Sequence, residues 1–511
     1  MLALALRDAR PSRLFAFGLV AAALVVTIPA RAATYQVGPG KPYADLSELA
    51  DSLQPGDIVE VDGDHTYPGD LHIKSSGTED NKITIRGVRV NGKRPVLSGG
   101  SEYTIVLHGS HTVFEGFEVT AGQTFCIVHK ADDVTVRDTV VHDCPNQGIL
   151  GTDSESGSLT LEFVEVYGSG EGLSNHQLYI ATDETMYPGS VFRMQHCFVH
   201  DGKGGNSVKT RSERNEIYYN WIEGGMYHEL DLIGPDGQDP SLAREDSDVV
   251  GNVFRKTSEW TIARMGGDGT GATSGRYRFA NNTFILAAST QNAFYMQDAI
   301  ESIELSNNVF FQPGAPGAKI YDDGDAAWTS GAAVIRGSNN WVQEGLGNVP
   351  SAWSATITGA DPGLFDVAQF DFQPKETSPL VDAGAATTAS PPGFEFPSPL
   401  ATPAFVPPLH TLNVVGMAAA RQLVGTIDIG AYEFGSPVST GSGGSTGPTG
   451  SSGAAGGIGP KAGDPGGAAD DGGCGCHLPG GDGGPSRGAI LAGVAALAVL
   501  ARRRGIRPRS C

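Results

Sequence analysis

The stretch from residue 175 to 264 places charged and aromatic residues between apolar ones. Tyr179, Lys209 and Asp231 are the middle residues of short runs that read LYI, VKT and LDL. Because alternate side chains of a strand face opposite sides, these residues are predicted to point away from their apolar neighbours. If the runs pair as parallel strands, neighbouring side chains stack about 4.8 Å apart. The predicted outward file consists of Tyr179, Lys209, Arg211, Glu229 and Asp231; the predicted inward residues are Leu178, Ile180, Val208, Leu230, Leu232 and Ile262.

Basic residues in this file suit proton abstraction from a uronate sugar. In β-elimination a base removes the proton beside a carboxyl group, while a cation neutralises that carboxylate. We predict Lys209 as the base and Arg211 or Arg264 as the group that holds the substrate carboxylate. The alternative is that Lys209 forms an ion pair with Asp231 or Glu229 on the next strand, which is worth about 0–1 kcal/mol at a surface.

Histidines and tyrosines surround the same file. His176 and His228 begin equivalent runs and are expected to stack; as neutral imidazoles they can bind sugar hydroxyls or act as a base, or they can be structural. Tyr179, Tyr295 and Tyr321 are expected to line a groove and to stack on sugar rings.

Acidic residues in the file offer two further kinds of site. Glu229, Asp231 and Asp236 can supply oxygen ligands to Ca²⁺, which is the one cofactor we expect. The same residues can instead serve as the paired acids of a glycoside hydrolase. The two alternatives differ in the distance between carboxyl groups.

Repeated short strands must position these residues. Units such as VFEGFEV (113–119), RFANNTFIL (278–286) and ELSNNVFF (304–311) recur at steps of 22 to 33 residues. Periods of roughly 20–50 residues indicate structural repeats, and propeller blades need about 40–45. The repeat therefore predicts an all-β, right-handed parallel β-helix with three sides. The aligned column is Gly116, Asp138, Phe163, His196, Asn220, Asn252, Asn282, Asn308 and Asn340.

Asparagines of this column are predicted to form a ladder at one corner, because stacked amides bond to one another. Next to them, Trp221, Val253, Phe284, Phe310 and Trp341 are expected to fill the core. Upstream, apolar residues at helical spacing in 42–53 predict a short capping helix before the first strand. Cys126 and Cys144 lie 18 residues apart, and either a disulfide or two buried thiols fit that spacing.

Charge limits the range of partners. The net charge is −22, and about −30 remains once the basic ends (+3 for 1–32 and +5 for 488–511) are left out. Nucleic-acid binding rewards basic surfaces, so this class is excluded. An acidic polysaccharide can be held only by a local basic site or a bridging cation.

The last part of the repeat region resembles exported bacterial parallel β-helix proteins of the pectate-lyase-like type. Their closing coils commonly carry a SPxxDxG … DIGAxE pattern, matched here by Ser378-Pro379, Asp382, Gly384 and 428–433. The resemblance covers about 34–434 and implies this architecture for a single domain, residues 33–434.

A second resemblance concerns activity. The run VKTRSERNEIYYN (208–220) resembles a coil of the lyase family that contains chondroitinase B and alginate lyases. The resemblance implies that Lys209 is the base. That family carries an Arg on the following coil, where this chain has Asp231, and Arg264 comes one coil later.

Both ends of the chain indicate export. Residues 1–32 have a basic start, an apolar segment (14–28) and an Ala-x-Ala site, which predicts a secretory signal peptide. Residues 435–473 are rich in Gly, Ser and Pro, which predicts a disordered linker. Residues 474–511 resemble the C-terminal sorting signal of myxobacterial surface proteins: a Cys motif, an apolar segment (489–501) and an Arg cluster.

Together these features predict a monomeric, exported protein that is held at the cell surface through a membrane segment near its C-terminus. Its predicted partner is polysaccharide, and the predicted reaction is lyase-like β-elimination of uronate glycans. The alternative function is a non-catalytic surface protein that binds carbohydrate or neighbouring cells.

Overall fold

The computed structural model describes residues 32–234, 245–268, 273–297, 299–323 and 333–438. The predicted signal peptide (1–31 of it), Asp236, the linker beyond 438 and the sorting segment lie outside the described residues. Within them, the chain winds repeatedly through three parallel sheets in the same order and forms a right-handed parallel β-helix. The predicted fold class is confirmed.

Through most of the winding, each turn adds one strand to each sheet, and the strands of consecutive coils pair in parallel. In the described residues, the first sheet has 13 strands: Thr34–Val37, Ile58–Asp62, Ile83–Val88, Thr112–Glu115, Val134–Arg137, Leu159–Glu162, Val191–Gln195, Arg214–Tyr218, Asp246–Val250, Gly275–Ala280, Ile300–Ser306, Val334–Ser338 and Trp353–Ser354. The second sheet there has 12 strands: Thr66–Pro68, Val96–Ser98, Glu118–Thr120, Val140–His142, Glu165–Tyr167, Phe198–His200, Trp221–Glu223, Val253–Arg255, Thr283–Ile285, Val309–Phe311, Trp341–Gln343 and Ile357–Gly359. The third sheet, over the same ranges, has 10 strands: Leu71–Ile73, Tyr103–Leu107, Phe125–His129, Ile149–Gly151, Leu178–Ala181, Val208–Arg211, Leu230–Leu232, Ala263–Met265, Asn292–Met296 and Lys319–Asp323.

Inward residues of the three sheets form one hydrophobic core along the winding. All six apolar residues predicted to face inward belong to it and are fully buried. Their alternation with polar residues places every second side chain on the outer face. The outer face of the third sheet therefore carries the candidate site.

The asparagine ladder is confirmed and lies at the corner between the first and second sheets. The Oδ1 atom of Asn252 accepts from both the backbone N–H and the Nδ2 of Asn220, at 2.9 and 3.0 Å. Asn252 in turn makes the same two bonds to Asn282. Its Nδ2 also donates to the carbonyl of Ile217. The ladder continues through Asn308 and Asn340 with the same geometry.

The sequence alignment of the earlier coils was wrong by one residue. Gly116, Asp138, Phe163 and His196 do not share the ladder position: His196 corresponds to Tyr219, and Cys197 corresponds to Asn220. These four residues have positive φ angles, as do Asn281, Asn307 and Asn339 in later coils. The shared feature of these positions is the left-handed turn conformation rather than the ladder. Gly, Asn, Asp and His favour this conformation, whereas Phe163 adopts it without such a preference.

The aromatic residues beside the ladder divide between two clusters. Phe284 and Phe310 stack inside the core, as predicted. Trp221, Val253 and Trp341 instead face outward, where the C-terminal segment covers them. They directly follow the ladder Asn, whereas the two Phe residues come one position later, and successive strand residues face opposite sides.

The C-terminal segment closes the outer face of the second sheet. It contains an antiparallel pair of strands, Leu364–Asp366 and Asp371–Pro374, joined by a 3₁₀ turn, Val367–Gln369. Asp428 accepts backbone N–H bonds from Asp382 and Phe434, and Glu433 binds the buried Arg421. The motif residues at 378–384 and 428–433 thus have a structural role.

The N-terminal cap differs from the prediction. A single 3₁₀ turn, Leu46–Glu48, replaces the expected helix over 42–53, and Asp45 caps it together with Glu48. Its apolar residues nevertheless join the core: Leu46, Leu49, Ala50 and Leu53. Bends and turns, including the Pro55-Gly56 turn, keep the segment too short for further helix.

Cys126 and Cys144 form a disulfide bond, so the first of the two alternatives holds. Cys197 is a free, buried thiol. No helix in the described part of the chain is long and apolar enough to cross a membrane.

Candidate functional site

The outer face of the third sheet carries a continuous row of polar and aromatic residues. In the register of neighbouring strands, Tyr179 pairs with Lys209, Lys209 with Asp231, Asp231 with Arg264, and Arg264 with Tyr295. We call these five residues the outer row. The structure thus brings together five of the predicted site residues on five consecutive coils.

Arg211 lies two residues after Lys209 on the same face and is held from three directions. Its Nε donates to the Tyr179 hydroxyl at 3.0 Å, and Nη1 donates to the Gly234 carbonyl at 2.7 Å. Nη2 lies 2.6 Å from Asp268 Oδ2. Because the guanidinium is fully buried in these contacts, its structural effect is to fix the Tyr179 ring.

Asp231 and Arg264 form a buried, two-pronged ion pair. The Nε and Nη2 atoms of Arg264 donate to the two carboxylate oxygens at 2.7 and 2.8 Å. Asn206 Nδ2 donates to Oδ2 at 2.8 Å as well. Burial opposes ionisation, but the charge and hydrogen bonds of Arg264 outweigh it and hold the pKa of Asp231 well below its usual range. Asp231 therefore remains an anion and is unsuited to donate a proton.

Of the three charged residues in the row, Lys209 is the one that has no oppositely charged group in contact within the described ranges. Among the described residues, its Nζ makes no hydrogen bond and no ion pair, and it lies 5.0 Å from the centre of the Tyr179 ring. The residue is 9% exposed. Burial lowers the pKa of the Lys209 amine; Asp231 opposes this change, and Arg211 and Arg264 reinforce it. The amine is thus available as a base at lower pH than an ordinary lysine.

The two histidines do not stack on each other as predicted. Asn206 lies between them, since His176, Asn206 and His228 hold equivalent positions on three consecutive coils. His176 Nδ1 accepts the backbone N–H of Asn206 at 3.0 Å, and burial lowers its pKa well below the usual value. Burial also lowers the pKa of His228 to about 3. Both imidazoles are therefore neutral near pH 7.

His228 is oriented by a threonine. Its Nδ1 lies 2.7 Å from the Thr261 hydroxyl, on the following coil. Its Nε2 is buried and has no hydrogen-bond partner among the described residues. His176 and His228 are thus neutral groups in the turns that precede two strands of the third sheet.

Glu229 does not belong to the outward file. It occupies the same position as the core residue Ile262, at the bend before the strand, where consecutive side chains do not alternate. Its carboxylate accepts from Ser207 Oγ at 2.7 Å and from the Gly225 N–H at 2.9 Å, and it pairs with Lys256 at 3.1 Å. The pair with Lys256 is fully buried inside the coil.

The expected cation ligands are thus occupied by protein donors and lie on different sides of the chain. Glu229 faces inward, and Asp231 is bound by Arg264 and Asn206. In the part of the chain that the structure describes, no three His, Cys, Asp or Glu residues lie close enough together to hold a metal ion. Binding of Ca²⁺ stays a prediction.

The tyrosines fall in different places. Tyr295 follows Arg264 in the outer row and is half-buried. Tyr321 pairs with the core residue Phe294 and packs inward, so it does not line the outer face as predicted. Asp322 takes the next position of the row instead.

Several site residues escaped the sequence analysis. Asn206, Tyr227 and Trp260 lie in the turns that precede the strands of the third sheet, and Asp268 follows one of them. Turn residues follow no alternating pattern, so the strand periodicity gave no signal for them. Their repeated place just before a row residue is the one feature that could have found them.

Comparison with known proteins adds only a likeness of fold. No protein-family model and no curated protein matches the chain. Among solved structures, pectate lyase Pel9A is similar at 13% identity, with 78% of this chain and 96% of that chain covered and a TM-score of 0.46. An alginate lyase from Paenibacillus sp. str. FPU-7 is similar at 15% identity, with 64% and 99% covered and a TM-score of 0.39. The PL6 family alginate lyase AlyGC is similar at 13% identity, with 61% and 52% covered and a TM-score of 0.36.

Proposed function

We propose that this chain acts on uronate-containing polysaccharide by β-elimination, with Lys209 as the base. The observation that carries the proposal is the buried amine of Lys209, which lies over the Tyr179 ring and has no anion in contact among the described residues. A buried lysine without an ion pair is costly to keep charged. Such a lysine is suited to accept a proton from a bound substrate.

In the reaction, the neutral amine removes the proton on the carbon beside the sugar carboxyl group. The electron pair left on that carbon forms a double bond to the next carbon, and the glycosidic carbon–oxygen bond breaks. The ammonium group of Lys209 then returns a proton to the leaving oxygen, so that atoms and charges balance. The product carries a new carbon–carbon double bond at its non-reducing end.

The other residues of the row orient the substrate. Arg264 lies two coils from Lys209, bound to Asp231, and its positive charge can offset the carboxylate of a bound uronate. Arg211 fixes Tyr179, whose ring faces the amine. His176 and His228, both neutral, are suited to hydrogen bonds with sugar hydroxyls. Ca²⁺ remains part of the proposal only as a bridge to the substrate carboxylate.

Incubation with a panel of uronate polymers, with and without Ca²⁺, tests the proposal through the ultraviolet absorbance of the unsaturated product. We expect Lys209→Ala to lower the rate by about 10²–10⁴-fold, the usual effect of losing a general base. Lys203→Ala is the matched control, because Lys203 is an exposed lysine in the turn before the same strand. If no polymer gives the product, or if both variants lose equal activity, the proposal is wrong.

A second candidate is a non-catalytic protein that binds polysaccharide at the cell surface. The observation in its favour is that both arginines of the site are already bound by Asp231 and Asp268. Under this reading, Lys209→Ala weakens binding and no polymer is cleaved.

We further propose export and retention at the cell surface, as the sequence of both ends indicates. Deletion of residues 1–32 is expected to keep the protein in the cytoplasm. Replacement of Arg502, Arg503 and Arg504 by Ala is expected to reduce its retention at the cell surface. Fractionation of cells that produce each variant, followed by immunodetection, measures both outcomes. Equal distribution of the variants and the native chain would contradict this proposal.

A further inference from the structure

The turns between the second and third sheets stack beside the outer row. The Gly205 N–H donates to the Gly172 carbonyl at 2.7 Å, and the Tyr227 N–H donates to the Gly205 carbonyl at 2.7 Å. One coil later, the Ser258 hydroxyl donates to the Met226 carbonyl at 3.3 Å. Turns from four consecutive coils therefore form one edge that runs parallel to the row.

This edge exposes large apolar side chains. Leu173 and Met226 are each 45% exposed, and Trp260 is 37% exposed. Exposed apolar groups gathered in one place mark binding surfaces more often than single exposed residues do. This apolar edge therefore contrasts with the charged residues of the outer row beside it.

Ring contacts connect Trp260 to the outer row. Its indole meets the Tyr227 ring edge-on, with centroids 4.5 Å apart and planes at 83°. The Tyr227 ring lies 3.9 Å from the His228 ring, and the Arg264 guanidinium carbon lies 5.9 Å from the Tyr227 centroid. Because Arg264 binds Asp231, the neighbour of Lys209, the indole is placed relative to the proposed base through a short series of contacts.

Trp260 also has an unused donor. In the described residues its indole N–H makes no hydrogen bond, and its one ring contact is with Tyr227. A flat apolar ring with a free N–H at its edge matches a pyranose, which has an apolar face and hydroxyls around its rim. The side chain thus has the chemistry of a sugar-binding platform.

We propose that Trp260, supported by Tyr227, binds the pyranose ring that adjoins the sugar residue held at Lys209. This inference rests on the proposed function for the class of substrate, and it adds the direction of the chain. The glycan crosses the outer row toward the stacked turns. Trp260 therefore selects for a polymer that places at least two sugars at the site.

Affinity and kinetics of full-chain variants test this inference. Binding to polygalacturonate, alginate and hyaluronate is measured by calorimetry in a Lys209→Ala background, which keeps the polymer intact. We expect Trp260→Ala to weaken binding on the order of tenfold, the effect of losing one aromatic contact. Trp260→Phe, which keeps a ring and loses the N–H, is expected to fall between the two. The control is Met417→Ala, since Met417 is 66% exposed in the C-terminal segment.

In the active protein, Trp260→Ala is expected to raise KM and leave kcat unchanged, because the platform touches no reacting atom. Unchanged affinity in Trp260→Ala, or an equal loss in Met417→Ala, overturns the inference. Binding that depends on Trp260 without any cleavage would support the platform and reject β-elimination. Cleavage that Trp260→Ala leaves unaltered would do the reverse. Failure of the Lys209→Ala protein to bind any of the three polymers, together with no cleavage by the native protein, contradicts both.

Discussion

Three neighbouring charges, Lys209, Asp231 and Arg264, determine the chemistry of the site. Asp231 has a basic neighbour on each side in the register of the sheet, and it binds Arg264. A planar guanidinium matches both oxygens of a carboxylate, whereas an ammonium group offers a single point of charge. The alternative ion pair between Lys209 and Asp231 therefore does not form. The lysine is left beside the Tyr179 ring with a lowered pKa.

Replacing Asp231 with Asn is expected to shift the pH dependence of activity. Asp231 raises the pKa of Lys209 against the effect of burial, so its removal lowers that pKa further. Because the proposed reaction needs the neutral amine, activity is expected to be lost as pH falls through this pKa. The acidic limb of kcat/KM should therefore move to lower pH, which a pH–rate profile measures. Movement to higher pH, or no movement, would contradict the assignment of Lys209 as the base.

The same variant is expected to lose about 3–5 kcal/mol of stability, because it removes the negative charge from the buried ion pair with Arg264. The profile must therefore be recorded at a temperature where the variant is folded, as checked by circular dichroism. Asp201→Asn serves as the control, since Asp201 is a highly exposed carboxylate that pairs with His200 on the second sheet. Neither its stability nor its pH profile should change appreciably.

At the scale of elements, the asparagine ladder holds consecutive coils in register. The amides of Asn252, Asn282 and Asn308 each accept two hydrogen bonds from the preceding coil and donate one to the next. Buried amides with all partners present make each coil fit its neighbour in one register only, because a shift leaves several polar groups unpaired. The register in turn places Tyr179, Lys209 and Asp231 side by side in the third sheet. The ladder and the row are thus two consequences of one pairing.

Asn252→Ala is expected to lower the free energy of unfolding by at least about 2 kcal/mol. The substitution removes the side-chain acceptor of the Asn220 N–H and the side-chain donor to the Ile217 carbonyl, and each loss costs about 1–3 kcal/mol. The Asn282 oxygen keeps the backbone N–H of residue 252 as a donor. Denaturation by urea, followed by circular dichroism, measures the loss. Asn81→Ala is the matched control, because Asn81 is exposed and its side chain makes no hydrogen bond among the described residues. Similar effects of the two substitutions would show that the ladder contributes little.

At the scale of the whole molecule, the winding needs a cover on its second sheet. Trp221, Val253 and Trp341 face outward there and are buried by Leu380, Tyr432 and other apolar residues of the C-terminal segment. Buried apolar area of this kind stabilises by about 25 cal/mol per Å². The segment after residue 360 therefore belongs to the folded domain, although it contains few strands.

Truncation after Gly359 is expected to expose this apolar surface and cause self-association. Truncation after Val438 keeps the cover and is expected to leave a monomer. Size-exclusion chromatography and the fluorescence of a hydrophobic dye distinguish the two products. A monomeric, dye-negative product from the shorter chain would show that the C-terminal segment is not needed to cover the sheet.

Much of the architecture could be predicted from local patterns. Alternation placed the core residues, because it is a property of residues close together in the chain. The five asparagines predicted the ladder, because their matched offsets repeat the length of one coil. The same alternation put Tyr179, Lys209 and Asp231 on one face. It was wrong for Glu229 and for Trp221, where a bend or a one-residue shift reverses the direction of the side chain.

The sequence by itself thus determined the coil repeat, the ladder and the shared face of Tyr179, Lys209 and Asp231 in the outer row. Only the tertiary structure decided which partner each charge takes: Arg264 for Asp231, Lys256 for Glu229, and the Tyr179 ring for Lys209. It also brought Tyr227 and Trp260 to the edge of the row. The physical reason is that strand alternation acts over two residues, whereas the choice of partner depends on distances between atoms that lie one or more coils apart.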